Sequence, residues 1–269
     1  MSLIINADDF GWTDGQNLAV EKAHCHGILN RASILTNGQA FRAAVEISQR
    51  LPDLGVGVHL TLNEGRPLRT PDHLPNLTRA DGSFHERLGT IESLWLRGRL
   101  LTEEVLPEWR AQIQRAIEAG IQVTHLDSHK HVHMFPPVLD AFIELAREYQ
   151  IPYVRLPLEK ISLSAFRRGP AWLGLWLLAR RARSRLTKAT LRFADRFIGI
   201  AASGSMTAPL LARAVASCEG VTEIMVHPAV ITPAITELQE SYGWARRYLF
   251  EEELHALCEA DIGRPATDQ

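Results

Sequence analysis

The sequence has few cysteines, and they form no recognisable motif. Cys25, Cys218 and Cys258 are the three cysteines, they lie far apart, and no CxxC pair occurs. An odd and scattered set excludes a disulfide framework and a zinc site built from thiolates. We therefore expect three reduced thiols in a cytoplasmic protein.

Long apolar runs and a targeting segment are also missing. No uncharged apolar run reaches the ~20 residues that span a bilayer. The N-terminus MSLIINADDFGW contains two acids and no basic region, unlike a signal peptide. The chain also has no large excess of positive or negative charge, because its formal net charge is -2. We expect no nucleic-acid partner, since the chain as a whole does not attract polyanions.

What the sequence does contain is an alternation of short apolar runs and longer amphipathic stretches. The candidate strands are Leu3–Ala7, Ala32–Thr36, Val56–Thr61, Ile121–Ser128, Tyr153–Leu156, Phe197–Ile200 and Glu223–Val226. The candidate helices are Gln16–His26, Ala40–Arg50, Glu103–Glu118, Val138–Tyr149, Ala208–Ser217 and Arg246–Glu259. Such alternation predicts a parallel sheet covered by helices. Seven strands without a GxGxxG or GxxxxGK[ST] turn favour an irregular (β/α) barrel over a nucleotide-binding sheet.

One domain over residues 1–269 is expected, and two segments depart from the alternation. Residues 66–100 are rich in Pro, Gly, Asn and Asp, which predicts a loop excursion that covers a site or is mobile. Residues 160–194 contain nine Lys or Arg, no acid and the apolar run AWLGLWLLA. This insertion predicts either an interfacial helix near anionic lipid or a packing helix with a solvated basic end.

Residue types that bind metals follow several of the candidate strands. They are Asp8 and Asp9 after the first strand, His59 in the third, His125, Asp127 and His129 along the fourth, and His227 after the last. The carboxyl ends of parallel strands meet at one rim, where catalytic groups cluster. Residues 125, 127 and 129 share one face of a strand, because side chains alternate with a period of two. Mixed nitrogen and oxygen ligands fit Zn²⁺, Mn²⁺ or Mg²⁺ and do not choose among them.

The two adjacent aspartates after the first strand are expected to have different chemical roles. Adjacent residues of a strand point in opposite directions, so Asp8 and Asp9 are expected to do different jobs. If one binds the ion, the other could orient or deprotonate a water. A helix N-cap followed by a first-turn acid is the alternative for one of the pair. One carboxylate with two imidazoles leaves coordination positions open, which is typical of a catalytic ion and predicts a metal-dependent hydrolase.

Six separated sequence blocks resemble one known family. NADDFGWTDGQN, ILTNGQA, GVHLTLNEGRPL, THLDSHKHVHMFP, VRLP and EIMVHP are similar, in this order, to signature blocks of the YdjC-like carbohydrate deacetylases, which include the chitooligosaccharide deacetylases. The blocks cover most of the chain. The resemblance implies a (β/α)-barrel deacetylase fold with one divalent metal ion.

The resemblance also implies roles for individual residues. The implied metal ligands are Asp9, His59 and His129; the implied base and acid are Asp8 and His227; His125 and Asp127 would orient a ligand; Asn37 and Arg155 would contact substrate. A buried ion pair is the alternative for Arg155.

The basic, apolar insertion before RFADRFIGIAASG resembles the hopanoid-biosynthesis-associated branch of this family. That resemblance implies removal of acetyl from an N-acetylglucosaminyl lipid. If the insertion is an interfacial helix, we expect peripheral contact at the inner face of the membrane. The alternatives are a chitooligosaccharide deacetylase, a metal-dependent amidase or phosphoesterase of other specificity, and a sugar- or lipid-binding module with a structural ion. Few basic residues near the motifs argue against a phosphate substrate, and the intact set of candidate site residues argues against a binding module.

Overall fold

The structure, a computed structural model, describes residues 2–161 and 169–260. The strands in this part of the chain are β1 Ser2–Phe10, β2 Arg31–Ile34, β3 Gly55–Leu60, β4 His125–Ser128, β5 Tyr153–Val154, β6 Arg196–Ile198 and β7 Val221–Val226. The α-helices are α1 Asp14–His26, α2 Phe41–Arg50, α3 Leu88–Leu96, α4 Thr102–Glu118, α5 Pro136–Glu148, α6 Pro170–Lys188, α7 Ala208–Ala216, α8 Pro233–Ser241 and α9 Phe250–Cys258. Short 3-10 helices lie at Pro71–His73, His129–Met134 and Ala245–Arg247.

The seven strands form one parallel sheet in the order β5-β4-β3-β2-β1-β7-β6. The predicted parallel α/β fold and its seven strands are confirmed, and the predicted irregular barrel takes the form of a barrel-like sheet that does not close. The edge strands β5 and β6 have two and three residues, which is too short for a continuous ladder between them. Within the described residues, this gap contains isolated bridges, Tyr153 with Arg192 and Glu159 with Phe197. The sheet is therefore a curled half-barrel.

Apolar strands and amphipathic helices build the core of this half-barrel. Ile5, Val58 and Leu126 on the central strands are completely buried, as expected for a parallel sheet with both faces covered. At the start of α1, Thr13 and Gln16 form a capping box, which satisfies backbone N–H groups that have no partner within the helix. These features hold the carboxyl end of β1 against the first helix.

The excursion at residues 66–100 is packed against the core, although its sequence predicted irregular structure. It contains α3 and an isolated bridge between Thr78 and Phe84. Phe84 and Ile91 are completely buried, so their burial offsets the entropy of ordering a long connection. The excursion thereby forms a wall beside the carboxyl ends of the strands.

The insertion at residues 160–194 contributes the helix α6, while its residues 162–168 lie outside the described part. Ala182 and Leu186 of α6 are buried in the core, in agreement with a packing helix. Leu173 and Leu177 remain 41% and 50% exposed on the same helix. Across residues 2–161 and 169–260, no helix combines the length and the hydropathy needed to cross a bilayer.

The main errors of local prediction concern the ends of elements. The fourth strand begins at His125 instead of Ile121, and the last helix begins at Phe250 because residues 245–247 form a 3-10 turn. The helix α8 was not predicted. Its nine residues begin after the capping Thr232, and so short an apolar pattern does not distinguish a helix from a loop.

Candidate metal centre and its cavity

Asp9, His59 and His129 meet at the carboxyl edge of the sheet. Oδ1 of Asp9 lies 3.5 Å from Nε2 of His59 and 3.1 Å from Nδ1 of His129. One candidate ligand atom from each residue lies within 4.8 Å of the others, and all three side chains are buried. Asp8, His59 and Asp127 form a second group by the same criterion. A carboxylate and two imidazoles at this spacing match the donor set of a catalytic divalent ion.

Asp8 and Asp9 face the same cavity, which differs from the opposite directions expected for adjacent strand residues. The pairing of β1 with β2 shifts register between Ala7 and Phe10, and Asp9 has a φ of 64°. A bulge with one residue in the left-handed region re-aims a side chain and interrupts strict alternation. This local backbone feature therefore brings both carboxylates to the centre, and neither serves as the N-cap of α1, since Thr13 has that role.

Arg155 lies among three buried carboxylates. Its Nη1 and Nη2 donate to the two oxygens of Asp8, each at 2.7 Å. Nη2 also lies 2.8 Å from Asp127 Oδ2, and Nε donates to Glu223 Oε1 at 2.6 Å. Burial opposes the charged guanidinium, but these carboxylates outweigh it and raise the pKa of Arg155. Arg155 is 1% exposed, and its contacts match the alternative stated for it, a buried ion pair that holds Asp8.

Asp127 orients His59 through a direct hydrogen bond. Nδ1 of His59 donates to Asp127 Oδ1 at 2.8 Å, which leaves Nε2 facing Asp9. The other carboxylate oxygen of Asp127 accepts from Ser33 Oγ at 2.6 Å, and this hydroxyl also lies 3.1 Å from His125 Nε2. Burial raises the pKa of Asp127, but the Arg155 charge and the contact with His59 outweigh it and lower that pKa. The positions of His125 and Asp127 agree with ligand-orienting roles.

His129 has a carboxylate on each ring nitrogen. Nδ1 faces Asp9, and Nε2 lies 2.9 Å from Glu64 Oε2. Burial would lower the pKa of His129, but Asp9 and Glu64 together raise it to about 9. The pKa of Asp9 is lowered in turn, because the nearby imidazoles outweigh its burial. The centre is thus built to hold positive charge, which is the requirement for a bound cation.

Glu64 was missed by sequence reasoning. Its only signal was an acid placed before Gly65 in the block GVHLTLNEGRPL, just after the third candidate strand. Glu64 is buried and has a φ of 64°. Nothing in the local sequence predicts that this side chain turns toward His129.

His227 stands beside the proposed base. Its Nε2 lies 3.9 Å from Asp8 Oδ2, and its Nδ1 has no partner within the described residues. Burial lowers the pKa of His227, and the charges of Asp8 and Asp9 oppose that shift. The imidazole lines the cavity with both aspartates, where it can exchange a proton with a ligand.

A cavity of about 670 Å³ opens onto this centre. Asp8, Asp9, His59, His129 and His227 line it, together with an apolar wall of Leu88, Trp95, Met134, Phe135, Trp172, Leu175 and Leu178. The wall comes from the excursion that carries α3, from the connection into α5, and from α6. A cavity of this size with few convergent polar groups is typical of a small-molecule site.

Asn37 does not line this cavity. It lines a separate recess of about 20 Å³ with Trp12, Glu64 and His129. Its Nδ2 donates to the carbonyl of Arg66 at 2.9 Å. This position does not support the predicted substrate contact, because the side chain is directed to a recess with room for about one water.

The fold and the site together define an α/β half-barrel protein with a buried carboxylate–imidazole centre at the carboxyl ends of its strands. The model of the family described as YdjC-like protein matches residues 2–264, and the chain belongs to this family.

Named relatives agree with this membership. A carbohydrate deacetylase of Brevibacillus brevis is 34% identical over 273 residues, which cover 100% of this chain and 96% of the relative. A chitooligosaccharide deacetylase of Klebsiella pneumoniae is 34% identical and is matched over 87% of this chain and 83% of its own length. A crystal structure from Enterococcus faecalis, described provisionally as a cellobiose-phosphate cleavage protein, has a TM-score of 0.72 at 29% identity and covers 97% of this chain and 91% of that one. The deacetylase relatives support a hydrolase role.

Proposed function

We propose that the protein is a metal-dependent carbohydrate N-deacetylase whose single divalent ion is bound by Asp9, His59 and His129. The observation that carries the proposal is the placement of the Asp9 carboxylate within 3.5 Å of both imidazoles at the edge of the cavity. The relatives named as deacetylases support the same activity. Zn²⁺, Mg²⁺ and Mn²⁺ all fit this donor set.

The remaining polar groups of the cavity have positions suited to amide hydrolysis. A divalent ion at this centre would supply a Lewis acid and would lower the pKa of a water to roughly 7. Asp8 is the proposed base that accepts a proton from water, since Arg155 holds its carboxylate in a fixed orientation. His227, with Nε2 at 3.9 Å from Asp8 Oδ2, is the proposed acid that protonates the leaving nitrogen. Water adds across the C–N bond, and the products are acetate and the free amino sugar.

The proposed substrate is an N-acetylated amino sugar joined to a lipid, as the resemblance to the hopanoid-associated branch implies. Support comes from the apolar wall of the cavity, in which Trp172, Leu175 and Leu178 belong to α6 of the insertion. A soluble sugar chain has little apolar surface to bury there, whereas a lipid aglycone gains about 25 cal/mol per Å² buried. We also propose peripheral contact of α6 with the inner face of the membrane, since Leu173 and Leu177 remain exposed on it.

Acetate release from two substrates tests the function. An N-acetylglucosaminyl lipid in mixed micelles and a soluble chitooligosaccharide are compared, before and after chelation and after return of Zn²⁺, Mn²⁺ or Mg²⁺. We expect chelation to abolish release, one of the ions to restore it, and the lipid-linked sugar to be preferred. His129→Ala should remain inactive with every ion.

Each contrary outcome removes a different part of the proposal. Acetate release that survives chelation removes the metal. Preference for the oligomer favours a chitooligosaccharide deacetylase, and phosphate release from phosphate esters without acetate release favours a phosphoesterase.

A further inference from the structure

We propose that Glu64 is a positioning residue that aims Nδ1 of His129 at the bound ion and links this ligand to the wall of the substrate cavity. The inference rests on the proposed metal centre. It assigns a role to a carboxylate that lies in the block GVHLTLNEGRPL but was not among the predicted site residues.

The contact between Glu64 and His129 is the first support. Glu64 Oε2 lies 2.9 Å from His129 Nε2, while Nδ1 of the same ring faces Asp9 Oδ1 at 3.1 Å. A carboxylate on the outer nitrogen fixes which ring nitrogen carries the proton, and it leaves the inner nitrogen free to bind a cation. Asp127 does the same for His59. Each imidazole of the centre therefore contacts a separate buried carboxylate that orients it, Asp127 for His59 and Glu64 for His129.

The second oxygen of Glu64 reaches the wall of the cavity. Oε1 accepts from the indole Nε1 of Trp244 at 3.0 Å and forms an ion pair with Lys130. Trp244 and Lys130 both line the large cavity. The carboxylate of Glu64, in the turn after β3, thus contacts both the turn after β4 and the segment after α8. All three segments meet beside the proposed metal ligand His129. Movement of Trp244 against a bound sugar would be transmitted to His129 through this group.

The backbone at Glu64 argues against an incidental contact. Its φ of 64° lies in the left-handed region, which is unfavourable for a residue other than glycine. Such a conformation persists where surrounding contacts determine it. Here Glu64 is 3% exposed and its carboxylate has three partners, so the contacts that hold it are those of the site.

Binding of Co²⁺ and Zn²⁺ to the purified full-length chain tests the role without any substrate. The visible absorption of bound Co²⁺ reports the ligand geometry, and calorimetry gives the Kd for Zn²⁺. We expect Glu64→Ala to weaken Zn²⁺ binding by about 10–100-fold and to change the Co²⁺ spectrum. Glu64→Gln should weaken binding less, because its amide oxygen still accepts from His129 Nε2.

Two further variants separate positioning from general stability. Glu104 is also buried but bonds Asn76, so Glu104→Gln should leave the Zn²⁺ Kd and the Co²⁺ spectrum unchanged. Trp244→Phe removes the indole donor and keeps a smaller aromatic ring in the wall, and it should raise KM more than it lowers kcat, with the Zn²⁺ Kd within about two-fold of the native value.

The outcomes distinguish this inference from the function on which it rests. If the native chain binds neither ion, the proposed metal centre falls, and the role of Glu64 falls with it. If the native chain binds Zn²⁺ and both Glu64 variants bind it equally well with the native Co²⁺ spectrum, the role of Glu64 alone is overturned. If Glu64→Ala does not fold, Glu64→Gln decides by the same two measurements.

Discussion

Arg155 shows how one buried side chain determines the electrostatics of the centre. Its guanidinium contacts Asp8, Asp127 and Glu223. A partner removed from a buried ion network leaves the remaining charges without compensation, and the cost is about 3–5 kcal/mol. Glu223 already has a raised pKa, because burial outweighs the attraction of Arg155. The network therefore depends on one cation among three carboxylates.

We predict that Arg155→Met lowers the free energy of unfolding by about 3–5 kcal/mol and abolishes activity, because Asp8 loses the group that orients it. Urea denaturation followed by circular dichroism measures the first effect, and acetate release measures the second. Arg155→Lys is the control; it keeps the charge without the two-pronged contact to Asp8, so an intermediate loss of stability is expected. Unchanged urea midpoints in both variants would contradict the network.

At the scale of secondary-structure elements, the imidazole ring of His125 on β4 lies close against Gly57 on β3. A Cβ built at Gly57 would lie 2.5 Å from Nε2 of His125, the atom that contacts Ser33. We predict that Gly57→Ala lowers the free energy of unfolding by about 1–3 kcal/mol and reduces activity by displacing His125.

Gly174→Ala in α6 is the control for stability. Its Cβ would meet no atom of the described residues within 4 Å, so about 0.5–1 kcal/mol of stabilisation is expected. Equal unfolding curves for Gly57→Ala and the native protein would disprove the close approach.

The contact of α9 with the end of β7 predicts a pH dependence of stability. Glu253 of α9 accepts from the backbone N–H groups of Met206 and His227 at 2.8 Å and 2.5 Å. Burial outweighs these hydrogen bonds and raises the pKa of Glu253 from 4.5 to about 7. Because the folded state holds this proton more tightly, the contribution to stability is complete below pH 4.5 and is lost as the pH rises through about 7.

We therefore predict that the free energy of unfolding attributable to Glu253 falls by up to about 3 kcal/mol across that range. Urea denaturation at several pH values measures the profile. Glu253→Gln cannot ionise, so its profile should be flatter than that of the native protein over the same interval. If both profiles have the same slope there, Glu253 does not titrate in this range.

On the scale of the whole molecule, α6 combines an inner face that lines the cavity with an outer face that remains apolar and basic. Leu173 and Leu177 are exposed, and Arg180 and Arg183 follow in the same helix. Exposed leucines beside arginines are typical of a helix that lies on an anionic bilayer surface. This arrangement would place the cavity beside the source of a lipid-linked substrate.

We predict that the protein sediments with phosphatidylglycerol vesicles more than with phosphatidylcholine vesicles, and that added salt weakens this binding. The double variant Leu173→Ser, Leu177→Ser should bind at least about ten-fold more weakly, because two apolar side chains no longer enter the interface. Leu210 is exposed to a similar extent on α7, and Leu210→Ser is the matched control with native binding. Equal sedimentation of the native chain with both lipids would rule out an electrostatic contact.

The sequence by itself predicted the order of the seven strands and of the helices other than α3 and α8, and it singled out the residues of the proposed metal centre. This was possible because apolar periodicity depends on neighbours in the chain, and parallel strands bring their carboxyl ends to one edge. Asp9, His59 and His129 lie at three such ends, so their meeting could be expected from strand positions alone. The family blocks then added the roles that periodicity does not provide.

Only the tertiary structure decided how the sheet ends at its edges and which side chains surround the carboxyl ends of its strands. The very short β5 and β6 leave the sheet open, a left-handed bulge turns Asp9 beside Asp8, and three carboxylates occupy Arg155. Glu64 reaches His129 across 65 residues of chain. These arrangements depend on turns and on packing between distant segments. Such contacts follow no periodicity, because their geometry is determined by the paths of several loops at once.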